Sequence, residues 1–248
     1  MRIDHNFDSI APCRAVVTIG SFDGVHRGHR VLLAHLRAMA ERLDAESVVV
    51  TFDPHPRIAM RRAEGMQLLT TIEERAYLLH EEGIDRMVVA HFDDTFRSQP
   101  YESFVRDVLV GKLGMVGMIV GYNHRLGKGS EGNYERLRPI ATECGFDIEC
   151  VAQHTASGDK ISSTVVRDMV LAGDMQRAAT LLGARYVVHG DVKSGTISNI
   201  APEKLLPPDG EYRCCVQRDK TEYELDVTVR GRMIEAREIP DGGVILRF

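Results

Sequence analysis

The sequence predicts an α/β protein: an open, doubly wound parallel sheet followed by a small antiparallel β domain. Three observations carry that prediction. Between residues 14 and 152, short apolar runs alternate with longer amphipathic stretches, as parallel strands with crossover helices do. A glycine-rich turn follows the first of those runs. After residue 185 the pattern changes to short alternating segments divided by Gly and Pro turns.

The predicted strands of the first part are Arg14 to Gly20, Ser47 to Phe52, Arg86 to Phe92, Val116 to Gly121 and Phe146 to Gln153, each reading as buried on both faces. Between the first two, Leu32, Leu33, Leu36, Met39, Ala40 and Leu43 form a helical stripe. Thr71 and Glu74 fit a capping box and start a second helix, which Gly83 ends. Pro100 to Leu113 and Asn133 to Cys144 complete the crossovers, and in such a sheet ligands collect at the carboxyl ends of the strands. Ser162 to Ala172 and Asp174 to Leu182 read as two short helices divided by Gly173. Tyr186 to Val192, Tyr212 to Gln217, Tyr223 to Arg230, Met233 to Glu238 and Val244 to Phe248 are the strands of the small domain.

With 44% apolar and 27% charged residues in a chain of 248, the composition is that of a soluble globular protein. Thirty-one basic against 36 acidic residues, without a Lys/Arg stripe, argue against a nucleic-acid partner. No apolar run is long enough for a membrane span and the first residues lack a signal-peptide layout, so the expected location is the cytoplasm. Five cysteines with no CxxC pair argue against a disulfide framework or a structural zinc. Composition leaves the oligomeric state open.

The segment Gly20-Ser21-Phe22-Asp23-Gly24-Val25-His26-Arg27-Gly28-His29 follows the first strand and opens the first helix. It puts His26 and His29 beside the free N–H groups of a helix start, where the positive dipole end favours an anion such as phosphate. Imidazole donors there stabilise charge on phosphoryl oxygens, and Gly28 lets a nucleotide approach closely. An HxxH pair is also half of a metal site, but no further His or carboxylate stands nearby at ligand spacing, so no metal is assigned to the chain. Thr51-Phe52-Asp53-Pro54-His55-Pro56 makes a rigid bend after the second strand, and Arg57, Arg61 and Arg62 follow it as a solvated face or a lure for anions. Gly127-Lys128 after the fourth strand is not a P-loop, because Tyr122 and Gly129 stand where glycine and Ser or Thr are required. In Ile161-Ser162-Ser163-Thr164-Val165-Val166-Arg167, Ser162 or Ser163 would cap a helix in any protein.

GSFDGVHRGH resembles the HxGH nucleotidyltransferase signature in the form used by bacterial FAD synthetases, which are commonly fused to riboflavin kinase. TFDPHP, GYNHRLG (residues 121–127) and ISSTVVR agree with that family in order and spacing, and the match covers residues 14 to 185. The resemblance implies a Rossmann-like domain of the HxGH type over residues 1–185 and a truncated riboflavin-kinase-like, barrel-like β domain over 186–248. It also implies FAD synthesis, in which the terminal phosphate of FMN attacks the α-phosphorus of ATP and pyrophosphate leaves. The matching positions are His26, His29 and Arg167 as catalytic residues, Gly20, Phe22, Asp23, Gly28, Ser162, Ser163 and Thr164 at the nucleotide, and His55, Pro56 and Asn123 at the flavin. Mg²⁺ would travel with ATP, held by substrate oxygens and water.

Two departures accompany the resemblance. His124 and Leu126 stand where the family usually has aromatic residues. In the β domain, the glycine-rich stretch before the family's PTAN motif is missing, leaving Thr196-Ile197-Ser198-Asn199, and the segment that normally brings the catalytic glutamate is absent. The expectation is a shortened domain that does not phosphorylate riboflavin. Two alternatives stay open: another HxGH enzyme, such as a cytidylyl- or pantetheine-phosphate adenylyltransferase, or a catalytically silent flavin- or nucleotide-binding regulator.

Overall fold

A computed structural model describes residues 1–7, 10–61, 65–152, 155–156, 159–218 and 221–248. The chain divides into two compact units, the first made of Met1–Phe22, Gly28–Glu64 and Ala76–Thr155, the second of Asp23–Arg27, Gly65–Arg75 and Ala156–Phe248.

The first unit is built on six strands: β1 (Arg2–Asp4), β2 (Ala15–Ile19), β3 (Glu46–Asp53), β4 (Arg86–His91), β5 (Met115–Gly121) and β6 (Asp147–Val151). They lie in the order β1-β4-β3-β2-β5-β6, and every pairing is parallel. Val16, Val17, Val48, Val49, Val50, Val88 and Met118 have no exposed surface, which is why these strands read as unbroken apolar runs. Each such side chain contributes about 1.5–3 kcal/mol by burial. Strand order reverses at β2, whose neighbours are β3 and β5, so a crevice opens at the carboxyl ends there. The sixth strand, β1, joins at the edge by pairing with β4.

Helix α1 (Arg27–Arg42) buries Leu33, Leu36, Met39 and Ala40, the stripe expected from its spacing. A short helix α2 (Pro56–Ala59) follows β3, and α3 (Ile72–Glu81) begins with the expected capping box. In that box the Thr71 N–H donates to Glu74 Oε2 at 2.9 Å and the Glu74 N–H donates to Thr71 Oγ1 at 3.2 Å. Helix α4 (Asp94–Ser98) starts on an Asp93 cap, and α5 (Tyr101–Ser103) runs into a π-helical stretch, Phe104–Leu113. Helix α6 (Tyr134–Cys144) is capped by Asn133. Gln153, the expected end of the last strand of this sheet, and Arg62 lie outside the described residues.

The short strands β7 (Thr155–Ala156), where the chain passes from the first unit to the second, and β8 (Asp159–Lys160) precede helices α7 (Ser163–Leu171) and α8 (Met175–Leu182). Six strands then close an antiparallel barrel: β9 (Val187–Lys193), β10 (Thr196–Ile197), β11 (Gly210–Arg218), β12 (Thr221–Arg230), β13 (Met233–Glu235) and β14 (Gly242–Arg247). Closure comes from β9, which pairs with both β10 and β14, so no sheet edge stays open. The closed barrel therefore does not bear out the expected shortening of the β domain.

The compact units also do not divide at 185/186. Val166 and Val170 of α7 and Leu181 and Leu182 of α8 share one apolar core with Val188, Val216 and Leu246 of the barrel, which draws both helices into the barrel's unit. The buried Lys204 donates to the Leu69 and Val187 carbonyls at 2.6 Å and sits 2.8 Å from Glu74 Oε2. All five cysteines are free, and burial raises the Cys214 thiol to about 12. Among the described residues, no helix is long and apolar enough to cross a membrane.

Candidate active site

Residues 20–29 make the turn from β2 into α1. Phe22, Gly24 and Val25 all have positive φ, at 48°, 84° and 42°. For Phe22 and the β-branched Val25 that is a strained conformation, costing on the order of 1–3 kcal/mol each. At Gly24 a Cβ would lie 2.8 Å from Leu69 Cδ1, so only glycine fits.

What holds the strained turn is Asp23. Its buried carboxylate accepts from the Thr70 N–H at 2.9 Å and from Thr70 Oγ1 at 3.3 Å, while its other oxygen accepts from Arg167 Nη2 at 2.8 Å. The Asp23 carbonyl accepts from Ser163 Oγ at 2.9 Å, and the Gly24 N–H donates to Thr70 Oγ1 at 3.1 Å. Both carboxylate oxygens of Asp23 thus accept from protein donors. Arg167 is also engaged through Nε, which donates to the Gln67 carbonyl at 2.9 Å. Ser162 is the cap of α7, its Oγ accepting from the Val165 N–H, and Thr164 is exposed in the first turn of that helix.

His26 is buried just before α1, and burial lowers its imidazole to about 4, so it is neutral at pH 7 and offers one N–H. Gly28 and His29 lie half-buried in the first turn of the helix. The His29 ring packs on Phe22, with centroids 5.0 Å apart, and Gly20 fits against the same phenyl ring. Phe22 is therefore an internal prop for His29 and is itself buried.

Within the first unit, a cavity of about 770 Å³ opens at the carboxyl ends of the strands. Gly20 and Ser21 line it after β2, Phe52 and Pro56 at and after β3, Phe92 and Phe96 after β4, and His124 to Gly129 after β5. Phe52, Phe92 and Phe96 touch one another with centroids 5.4–5.8 Å apart. Arg97, Arg125 and Lys128 add positive charge to the lining. Gly127 lets the loop after β5 press on Tyr101, since a Cβ would lie 2.7 Å from the Tyr101 Cβ.

Of the expected flavin residues, Pro56 lines this cavity, whereas His55 and Asn123 are not among its lining. His55 instead caps α2, its Nδ1 accepting from the Arg57 N–H at 3.2 Å, and Asn123 is exposed. Met60, Phe92, Phe96, Arg97 and Lys128 are lining residues that sequence reasoning missed. The one available signal was position, since Phe92 directly follows the end of β4. Among the described residues, no group of three or more His, Cys, Asp or Glu side chains would hold a metal ion.

The chain is 34% identical over 198 residues to the bifunctional riboflavin kinase/FMN adenylyltransferase of Escherichia coli K12, covering 78% of this chain and 63% of that protein. The protein of the same name from Listeria monocytogenes is 32% identical over 209 residues, covering 79% of this chain and 66% of its own length. Less than two thirds of either relative is thus spanned. Among solved structures, one described as a macrolide-efflux protein from Streptococcus pneumoniae superposes with a TM-score of 0.84 at 22% identity, covering 99% of this chain and 88% of that one, a likeness of fold. The FAD synthetase family profile matches residues 9–165, the span that carries the HxxH turn, the aromatic cavity and the start of α7. On that match, over more than half its length, the chain belongs to the FAD synthetase family.

Proposed function

We propose that the chain is an FMN adenylyltransferase, making FAD and pyrophosphate from FMN and MgATP. The observation that carries the reading is the aromatic-walled cavity starting at the same strand end, Gly20–Ser21, from which the HxxH turn departs. A planar, apolar ring system with an anionic tail suits walls of Phe52, Phe92 and Phe96 and a rim of Arg97, Arg125 and Lys128. Its volume falls in the range of roughly 300–1,000 Å³ usual for small-molecule sites.

In the proposed reaction, the FMN phosphate is the nucleophile and the α-phosphorus of ATP the centre. A phosphomonoester is mostly dianionic at pH 7, with a second pKa of about 6, so no general base is needed. Catalysis then reduces to alignment and charge stabilisation. His26, neutral through burial, and His29, in the first turn of α1, donate to the α-phosphate oxygens as charge builds there. By the family resemblance, Arg167 and Thr164 serve the departing pyrophosphate, while Ser162 caps α7 and Ser163 donates to the Asp23 carbonyl. Mg²⁺ enters as part of the nucleotide substrate.

Equilibrium titration tests the acceptor. FMN should bind at least tenfold more tightly than glycerol 3-phosphate or phosphopantetheine. Tighter binding of either of those would move the chain to another HxGH activity.

A further inference from the structure

Lys204 lies in the segment between β10 and β11 and has no exposed surface. Its ammonium carries three hydrogens, and three acceptors meet it: the Leu69 and Val187 carbonyls at 2.6 Å and Glu74 Oε2 at 2.8 Å. Nζ also lies over the Tyr186 ring, 4.1 Å from its centroid. Stability alone does not call for such a charge, since a well-packed apolar side chain of similar volume commonly serves as well or better. What an apolar side chain cannot do is fix particular backbone oxygens.

One of those oxygens belongs to a segment that reaches the turn into α1. Residues 67–71 run beside 203–205, where the Leu68 N–H donates to the Glu203 carbonyl at 2.6 Å and the Leu205 N–H donates to the Leu68 carbonyl at 2.8 Å. The same segment holds the turn. The Thr70 N–H donates to Asp23, Thr70 Oγ1 accepts from the Gly24 N–H, and the Gln67 carbonyl accepts from Arg167 Nε. Leu69 itself packs against Gly24, so the residue whose carbonyl Lys204 holds is also a wall of the turn. Phe22, Gly24 and Val25 keep their left-handed conformation under that hold, and His26 is the next residue along.

We propose that Lys204 is a positioning residue for adenylyl transfer: by holding the Leu69 carbonyl it sets Thr70 against Asp23, and so places the turn that carries His26. It acts through protein contacts that all lie in the second unit, and it gives that unit a part in adenylyl transfer. The inference rests on the reading of the chain as an FMN adenylyltransferase.

Steady-state FAD formation and amide hydrogen exchange are measured on the whole chain and two variants, at a temperature where thermal melts show all three folded. Lys204→Met keeps the length and removes the donors. It should lower kcat about tenfold, since a misplacement of about 1 Å caused from a distance can cost up to about a hundredfold. KM for FMN should stay within about twofold, and peptides containing Gly24 and Thr70 should exchange at least about threefold faster. Val229→Ala opens a cavity among β11, β12 and β13 and lowers stability without touching these contacts, so it should change kcat and that exchange by less than about twofold. A kcat in Lys204→Met within about twofold of the unaltered chain overturns the proposal. So does an equal loss in Val229→Ala, which marks lost stability alone, and so does unchanged exchange at Gly24 and Thr70. If the unaltered chain makes no FAD, the substrate reading has failed, and the inference falls with it. Should Lys204→Met not fold, Lys204→Gln, whose amide meets at most two of the three acceptors, takes its place; about a threefold loss of kcat is expected, and an unchanged kcat overturns the proposal.

Discussion

In the proposed reaction, His26 and His29 carry the chemistry at the scale of single residues. Replacing His29 with Ala should lower FAD turnover about a hundredfold, the usual loss for one donor to a developing oxyanion. Far-ultraviolet circular dichroism should show the same fold, and an unchanged rate would remove His29 from the reaction. His26 makes a prediction about pH. Its folded pKa, about 4, lies below the unfolded value of 6.5, so between those limits the unfolded chain binds a proton that the folded chain does not. Stability contributed by keeping His26 neutral is therefore lost as pH falls from 6.5 to 4, by about 1.4 kcal/mol per unit and about 3 kcal/mol in all. Urea denaturation across that window should show the slope, and His26→Gln should flatten it. The two imidazoles were legible from sequence because a turn between strand and helix gives HxxH a meaning. The pairing of Asp23 with Arg167, 144 residues apart, was not, since nothing local in either segment encodes the other.

The elements explain why that pairing matters. The turn from β2 to α1 holds three left-handed residues in place through the Asp23 carboxylate, and α7 supplies the cation that neutralises it. Arg167→Ala should reduce turnover and also cost about 3 kcal/mol of stability, because a buried carboxylate loses its partner. Pairing it with Asp23→Asn should restore part of the stability and none of the turnover. Recovery of turnover in the double variant would make Arg167 structural alone. Strands β2 to β5 were legible because burial on both faces forces continuous apolar runs. Strand β1, three residues of Arg-Ile-Asp at a sheet edge, carries no such run, and β10 is two residues long. Helices α1, α3, α6, α7 and α8 announced themselves by stripe or cap, while α2 and α4 are too short for periodicity to register.

At the scale of the molecule, periodicity shows that α7 and α8 are amphipathic but does not say which core receives their apolar faces. The cavity wall eluded sequence for a related reason, as Phe52, Phe92 and Phe96 come from two strand ends that only the sheet order makes neighbours. The barrel is closed, yet residues 196–199 read Thr-Ile-Ser-Asn where the family resemblance leads one to seek Pro-Thr-Ala-Asn. Incubation with riboflavin and MgATP should yield no FMN, and FMN production at the rate of adenylylation would overturn that reading. The central claim, adenylyl transfer to FMN, is tested most directly by incubating the chain with ATP, Mg²⁺ and FMN and separating the flavins by chromatography. The account predicts FAD with one pyrophosphate per molecule formed, and almost none from a His26→Ala, His29→Ala variant. FMN that binds tightly yet is recovered unconverted would contradict it and leave a flavin-binding protein without turnover.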